Sequence, residues 1–220
     1  MPAALAWLAF KPGLAQLDML VYDRMLPLAS HQPSDDILIV AIDERSLAAL
    51  GRWPWPRSVH ARLLSELADA GAASVLLDMF LTEPSENPRE DADLARAMDR
   101  LPVFLPMMAE REIRSPQASG FGFARPLSLL EAQARGVGHG ELLLDTDGVA
   151  RGLYMHIGPA GSPQPYVGLL VAGGTVDGRE GIVDPAGWRY TGHLRLSYAG
   201  PAGSYARASY VDVLGGLVPP

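Results

Sequence analysis

Ile37-Leu38-Ile39-Val40-Ala41-Ile42-Asp43 and Val75-Leu76-Leu77-Asp78-Met79-Phe80 are the two stretches that decide the fold class. Each is an apolar run that meets an aspartate. Such runs fit strands covered on both faces, as in a parallel sheet. Between them, Ser58 offers a cap, Val59, Leu63, Leu64, Leu67 and Ala70 recur at helical spacing, and Gly71 supplies the stop. Strand, helix and strand at this spacing predict a right-handed βαβ unit.

Working outward, Asp91 to Leu101 reads as a helix with Leu94, Met98 and Leu101 inward, and Val103-Phe104-Leu105 as a third parallel strand. Ala109 to Arg125 is polar and glycine-containing, which predicts irregular structure. Pro126 to Ala134 reads as a helix closed by Gly136. Upstream, Leu14 to Leu28 is a helix with Leu14, Leu17, Val21 and Met25 on one face. In the second half, Glu141–Leu144 and Val149–Ile157 are strands joined by Asp145-Thr146-Asp147-Gly148, where Asp-Gly is a hairpin-turn signal. Val149, Arg151, Leu153, Met155 and Ile157 share a face that Arg151 interrupts. Tyr166–Ala172 reads as a short helix, His193–Tyr198 as a strand, and Tyr210–Leu214 as the start of a last helix. The expected class is α/β, with a mainly parallel sheet built from βαβ units and an antiparallel extension from the second half.

The composition narrows the chemistry. The chain has 220 residues, 48% of them hydrophobic, enough for a sizeable core. A net charge of −7, with 18 basic residues scattered singly, argues against nucleic acid as a partner. With no cysteine there are no disulfides, thiolate metal sites or thiol nucleophiles. The 19 prolines and 23 glycines predict many turns between short elements. Ala3–Phe10 is apolar but too short to span a membrane alone, since about 20 apolar residues are needed.

Several residues invite a functional reading beside a structural one. Asp43 and Asp78 end strands, where open α/β sheets place ligands. With Glu83 and His60 they offer oxygen and nitrogen donors for a metal; equally, each caps a helix or accepts loop N–H groups. The second reading is favoured. Trp53 and Trp55 alternate with prolines on a stiff segment, and either stack on a flat ligand or plug the end of the sheet. Arg52 and Arg57 either clamp an anionic ligand or pair with Asp43 or Asp78. Gly136-Val137-Gly138-His139-Gly140 follows a helix rather than a strand, so it fails as a phosphate cradle. Asp145-x-Asp147-Gly148 lacks the later glutamate of a calcium loop and is a turn. There is no Gly-x-Ser-x-Gly or His-Glu-x-x-His segment, and no cofactor is expected. If Asp43 and Asp78 emerge at one sheet edge, the loop Arg52–Arg57 lies beside them. A candidate ligand site then comprises Asp43, Arg52, Trp53, Trp55, Arg57, His60, Asp78 and Glu83. The enzymatic alternative is a small metal-dependent hydrolase using Asp43, Asp78 and Glu83, assisted by His60 or His139.

Read together, several segments resemble the CHASE domain of type 2, the sensory extracellular domain associated with cyclases and histidine kinases. They begin with Leu17-Asp18 and Tyr22-Asp23, then Ile39-Val40-Ala41-Ile42-Asp43-Glu44 with Ser46-Leu47. The most specific is Gly51-Arg52-Trp53-Pro54-Trp55-Pro56-Arg57 with His60. Ala70-Gly71-Ala72, Asp78, Phe80 and Glu83-Pro84 follow. Later come Gly136-Val137-Gly138-His139, Asp145-Thr146-Asp147-Gly148-Val149-Ala150-Arg151, Leu196-Ser197-Tyr198-Ala199-Gly200-Pro201 and Tyr210-Val211-Asp212-Val213-Leu214. The resemblance implies residues 1–30 as a juxtamembrane helix and 31–220 as the sensory domain, lacking the family's closing strand and so leaving a sheet edge open. It further implies a periplasmic position in a bacterial receptor, a small-molecule or peptide cue, a homodimer, partner membrane helices, and a cyclase or kinase output.

Overall fold

The computed structural model describes residues 21, 24–25, 31–115, 118–175, 181–185 and 187–218. The chain divides into two compact units, Met1–Ile39 with Ser197–Arg207, and Val40–Leu196 with Ala208–Pro220. The expected helix Leu14–Leu28 lies mostly outside the described residues. Of its apolar stripe, Val21 and Met25 are described, helical and exposed.

β1 (Leu38–Ala41) leads into α1 (Glu44–Leu50) and α2 (Arg57–Asp69), then β2 (Val75–Leu76), α3 (Pro88–Met98), β3 (Val103–Ser115) and β4 (Ala118–Ala124). α4 (Ser128–Gln133) and β5 (Gly136–His139) complete the first half. The parallel βαβ unit exists, but one step later than the sequence predicts. β2 pairs with β3 across α3, Val75 opposite Val103, and β5 pairs parallel with the far side of β3, Phe104 opposite Gly136. β1 is instead hydrogen-bonded to β11 (Ala206–Ser209). An apolar run specifies a buried strand, not its neighbour, which only long-range pairing selects. Nor are the two runs covered on both faces, since Ile37, Ile39, Leu76 and Phe80 are exposed.

In the larger unit α2 packs on α3 and α3 on α4, and the buried apolar side chains fall on these helices and on β3. Leu64, Leu94, Val103, Leu105, Met107 and Leu130 are all buried. α3 starts at Pro88 because Asn87 caps it, accepting from the Arg89 N–H, and proline suits the first helical position. Ser58 does not cap α2. Pro56 occupies that position without a side-chain acceptor, and Glu90 of α3 accepts the Arg57 N–H at 3.0 Å.

The expected irregular stretch 109–125 is a correction. β3 continues to Ser115 and turns back as β4, with Met108 opposite Ala124 and Ala109 opposite Phe123. A polar, glycine-bearing hairpin gives no hydrophobic alternation, so its ladder of backbone hydrogen bonds was invisible in composition.

The second half is antiparallel, as expected, but it forms a sheet of its own and not an extension of the parallel one. Its order is β6 (Leu143–Leu144), β7 (Ala150–Pro159), β10 (Trp188–Arg195), β9 (Gly181–Val183), with β8 (Gln164–Pro165) also on β7. α5 (Val167–Val171) follows β8, and α6 (Tyr210–Leu214) follows β11. Asp145 to Val149 is a tight turn, with Gly148 at φ +79° donating to the Asp145 carbonyl at 2.8 Å. Arg151, which interrupts the apolar face, is buried there and paired with Asp145 at 2.9 Å and Asp147 at 2.8 Å. The glycines of β5 are explained by close approach: a Cβ on Gly138 would stand 2.6 Å from the Pro165 carbonyl oxygen and 2.8 Å from the Val167 backbone.

Candidate functional site

Asp43 closes β1 and caps α1, and the acceptor is nearly saturated. Its Oδ1 accepts from the Ser46 N–H at 2.9 Å, the Ser46 hydroxyl at 2.6 Å and the Ser209 hydroxyl at 2.9 Å. Ser46 in turn accepts from the Val211 N–H at 3.1 Å. These hydrogen bonds, those from Ser46 foremost, hold the Asp43 carboxyl down at about 2. Arg45 adds an ion pair to Asp212 at 2.6 Å.

The tryptophan loop is half plug and half surface. Trp55 is 5% exposed, and its indole N–H donates to the Gly51 carbonyl at 2.9 Å. Trp53, after which the peptide bond to Pro54 is cis, is 37% exposed and packs edge-on against Trp55 at 5.3 Å and His60 at 5.5 Å. Beneath them, Tyr210 lies 4.9 Å from the Trp55 ring. The His60 Nδ1 and the Tyr210 hydroxyl are 2.6 Å apart. That distance fits the hydroxyl donating to a neutral imidazole. Burial, with the Arg57 charge nearby, pushes His60 down to about 4, and burial pushes the Tyr210 hydroxyl well up.

Arg57 takes neither aspartate expected for it. Its Nε faces Asp91 Oδ1 at 3.4 Å, an ion pair without hydrogen-bond geometry, and its Nη2 donates to the Glu83 carbonyl at 3.2 Å. The guanidinium thus fastens the loop before α3 to the start of α2. Asp91 was read only as a helix residue, and nothing in the polar first turn of α3 marks it in sequence as the buried carboxylate.

The structure therefore brings Trp53, Trp55 and His60 together, with Arg57 close by. Asp43 reaches the same group through Ser209 and Ser46, which hold the residues on either side of Tyr210. Arg52 and Glu83 are exposed. Asp78 is exposed and stands near Tyr166, adding to the burial that raises that phenol. It does not cap a helix. Among the described residues no three His, Asp or Glu side chains gather as a metal site, so Asp43, Asp78 and Glu83 form no carboxylate cluster. Clefts of about 450 Å³ lie along α2, α3 and α4, lined by residues such as Arg62, Asp93, Arg96 and Gln133, away from the indoles. Sequence reasoning missed Ser46, Ser209 and Tyr210 as the residues that seat the site.

The family model of the CHASE2 domain matches residues 2–220. The chain belongs to the CHASE2 family. This is a family of sensory extracellular domains and not of catalysts, which agrees with the resemblance drawn from the tryptophan loop and the last motif. Comparison with curated proteins and with solved structures finds no match. No helix among the described residues of the CHASE2 domain is long and apolar enough to cross a membrane.

Proposed function

We propose that this CHASE2 domain is the periplasmic signal-input domain of a bacterial transmembrane receptor, regulating a cytoplasmic cyclase or kinase. Its cue, a small molecule or peptide, meets the tryptophan loop at Arg52 and Trp53. One observation carries the site: Trp53 keeps a face in solvent while its other contacts, Trp55 and His60, are buried and fixed. An exposed aromatic on a rigid seat, beside the exposed Arg52, suits a planar or anionic group. Trp55 and His60 seat the loop from behind, Arg57 fastens its end, Asp43 reaches it through Ser209 and Ser46, and Asp78 and Glu83 remain exposed for a larger ligand. The domain performs no catalysis of its own, and the intact receptor is a homodimer, since its outputs act in pairs.

The full-length receptor tests this. A ligand screen read by tryptophan fluorescence is expected to give hits that alter cyclase or kinase output. Trp53→Ala and Arg52→Ala should weaken the response about tenfold or more, with the fold intact by circular dichroism. Responses equal to wild type in both variants would place sensing elsewhere. Turnover of phosphoester, ester or peptide substrates that Asp43→Asn abolishes would favour the hydrolase alternative.

A further inference from the structure

Tyr210 is the point where two otherwise separate parts of the site meet. Its ring packs on Trp55 at 4.9 Å, its hydroxyl bonds His60 at 2.6 Å, and it opens α6. On either side of it, Ser209 donates to Asp43 and the Val211 N–H donates to Ser46. A third tie, Arg45 to Asp212, follows one residue later. α6 has only five residues, and its cap Ser209 makes no side-chain hydrogen bond to the helix itself. So short a helix has little stability of its own, and its order comes from packing and from these ties.

We infer that the tryptophan loop and α6 are one coupled element, in which moving Trp53 and Trp55 releases Tyr210 and lets α6 open. Tyr210, His60, Ser209, Ser46 and Asp43 are its positioning residues. The inference deepens the proposed role of the loop, because it names the segment that senses the loop's state. It does not require a ligand to be known. The His60 hydrogen bond is buried, whereas the Asp43 seat is partly open. For a two-state element to carry a signal, both ends must bias the same equilibrium.

Amide hydrogen exchange on the 220-residue chain reads this directly. The reporters are Gly215 N–H, bonded to the Val211 carbonyl at 3.1 Å, and Leu217 N–H, bonded to the Asp212 carbonyl at 2.9 Å. Tyr210→Phe keeps the ring and removes the hydroxyl, and Trp53→Ala alters only the loop. Each is expected to speed exchange at Gly215 and Leu217 about tenfold, with β3 and β7 amides unchanged. Tyr210→Phe should also shift the near-ultraviolet circular dichroism of the tryptophans. Unchanged α6 exchange in Trp53→Ala, or equal acceleration throughout the chain, would overturn the coupling. Should Tyr210→Phe fail to fold, Ser209→Ala gives the same readout through the other seat. A receptor whose output ignores Trp53 while α6 still opens in Trp53→Ala would refute the sensing site and leave the coupling standing.

Discussion

Arg151 is a side chain whose value depends on where its partners stand. It is 7% exposed, and its guanidinium bonds Asp147 through both terminal nitrogens, at 3.0 and 2.8 Å, besides Asp145. Removing it leaves Asp145 and Asp147 to solvent without their partner and a hole in the sheet face where the buried stem stood. Arg151→Met should therefore lower the urea midpoint clearly more than Arg96→Met, because the Arg96 guanidinium is itself on the surface, where such pairs contribute about 0–1 kcal/mol. Two buried histidines give a pH signature. Burial holds both His60 and His139 down at about 4, against an ordinary 6.5. The folded form thus binds fewer protons than the unfolded form below pH 6.5, so stability is full above that value and falls as pH drops towards 4. Each histidine contributes up to about 3 kcal/mol of that loss, and His139→Gln should flatten the slope in urea melts taken from pH 7 to 4. If the slope is unchanged, His139 is not held neutral in the fold.

At the scale of elements, β5 and α2 are fixed by neighbours far along the chain. Gly138 is a glycine because β8 and the start of α5 run against it, whereas the nearest atom to a Cβ on Gly140 is Pro106 Cβ, at 3.8 Å. Gly138→Ala should cost about 2 kcal/mol or more by overpacking against backbone, and Gly140→Ala less than about 0.5 kcal/mol. Paired thermal melts check the contrast. The α2 stripe was legible because its period is local: Leu63, Leu64 and Leu67 are buried as read. Its N-terminus was not, because the acceptor for the Arg57 N–H comes from Glu90, on another helix. The hairpin of β3 and β4 escaped notice for the opposite reason, having backbone pairing without an apolar pattern.

For the larger unit as a whole, stability concentrates on β3. Val103, Leu105 and Met107 are fully buried, with β2 and β5 paired on its two sides. The amides of Phe104, Leu105 and Met107 should be the slowest to exchange, and those of β9, whose three residues are all exposed, faster by orders of magnitude. Slowest exchange in the antiparallel sheet would show that the two halves do not share this core. The candidate site was legible as a set of residue types and only partly as a place. Trp53, Trp55 and His60 do meet, while Asp78 stands near Tyr166 and Arg57 faces Asp91.

The sequence by itself determined the quantities that depend on near neighbours. These are the helices of the first half, the Asp-Gly turn, the antiparallel second half and the family, carried by the Gly51–Arg57 loop and the last motif. Tertiary structure alone decided which strand lies beside which, with β1 beside β11 and not β2, and which aspartate meets which arginine. It alone placed Ser209 and Tyr210 under a loop more than 150 residues earlier, Ser209 on Asp43 and Tyr210 on the tryptophan cluster. Periodicity and capping act over a few residues and leave a trace in the order of side chains. Strand partners and buried polar pairs are chosen by the whole fold, among many carboxylates and apolar runs that look alike in sequence.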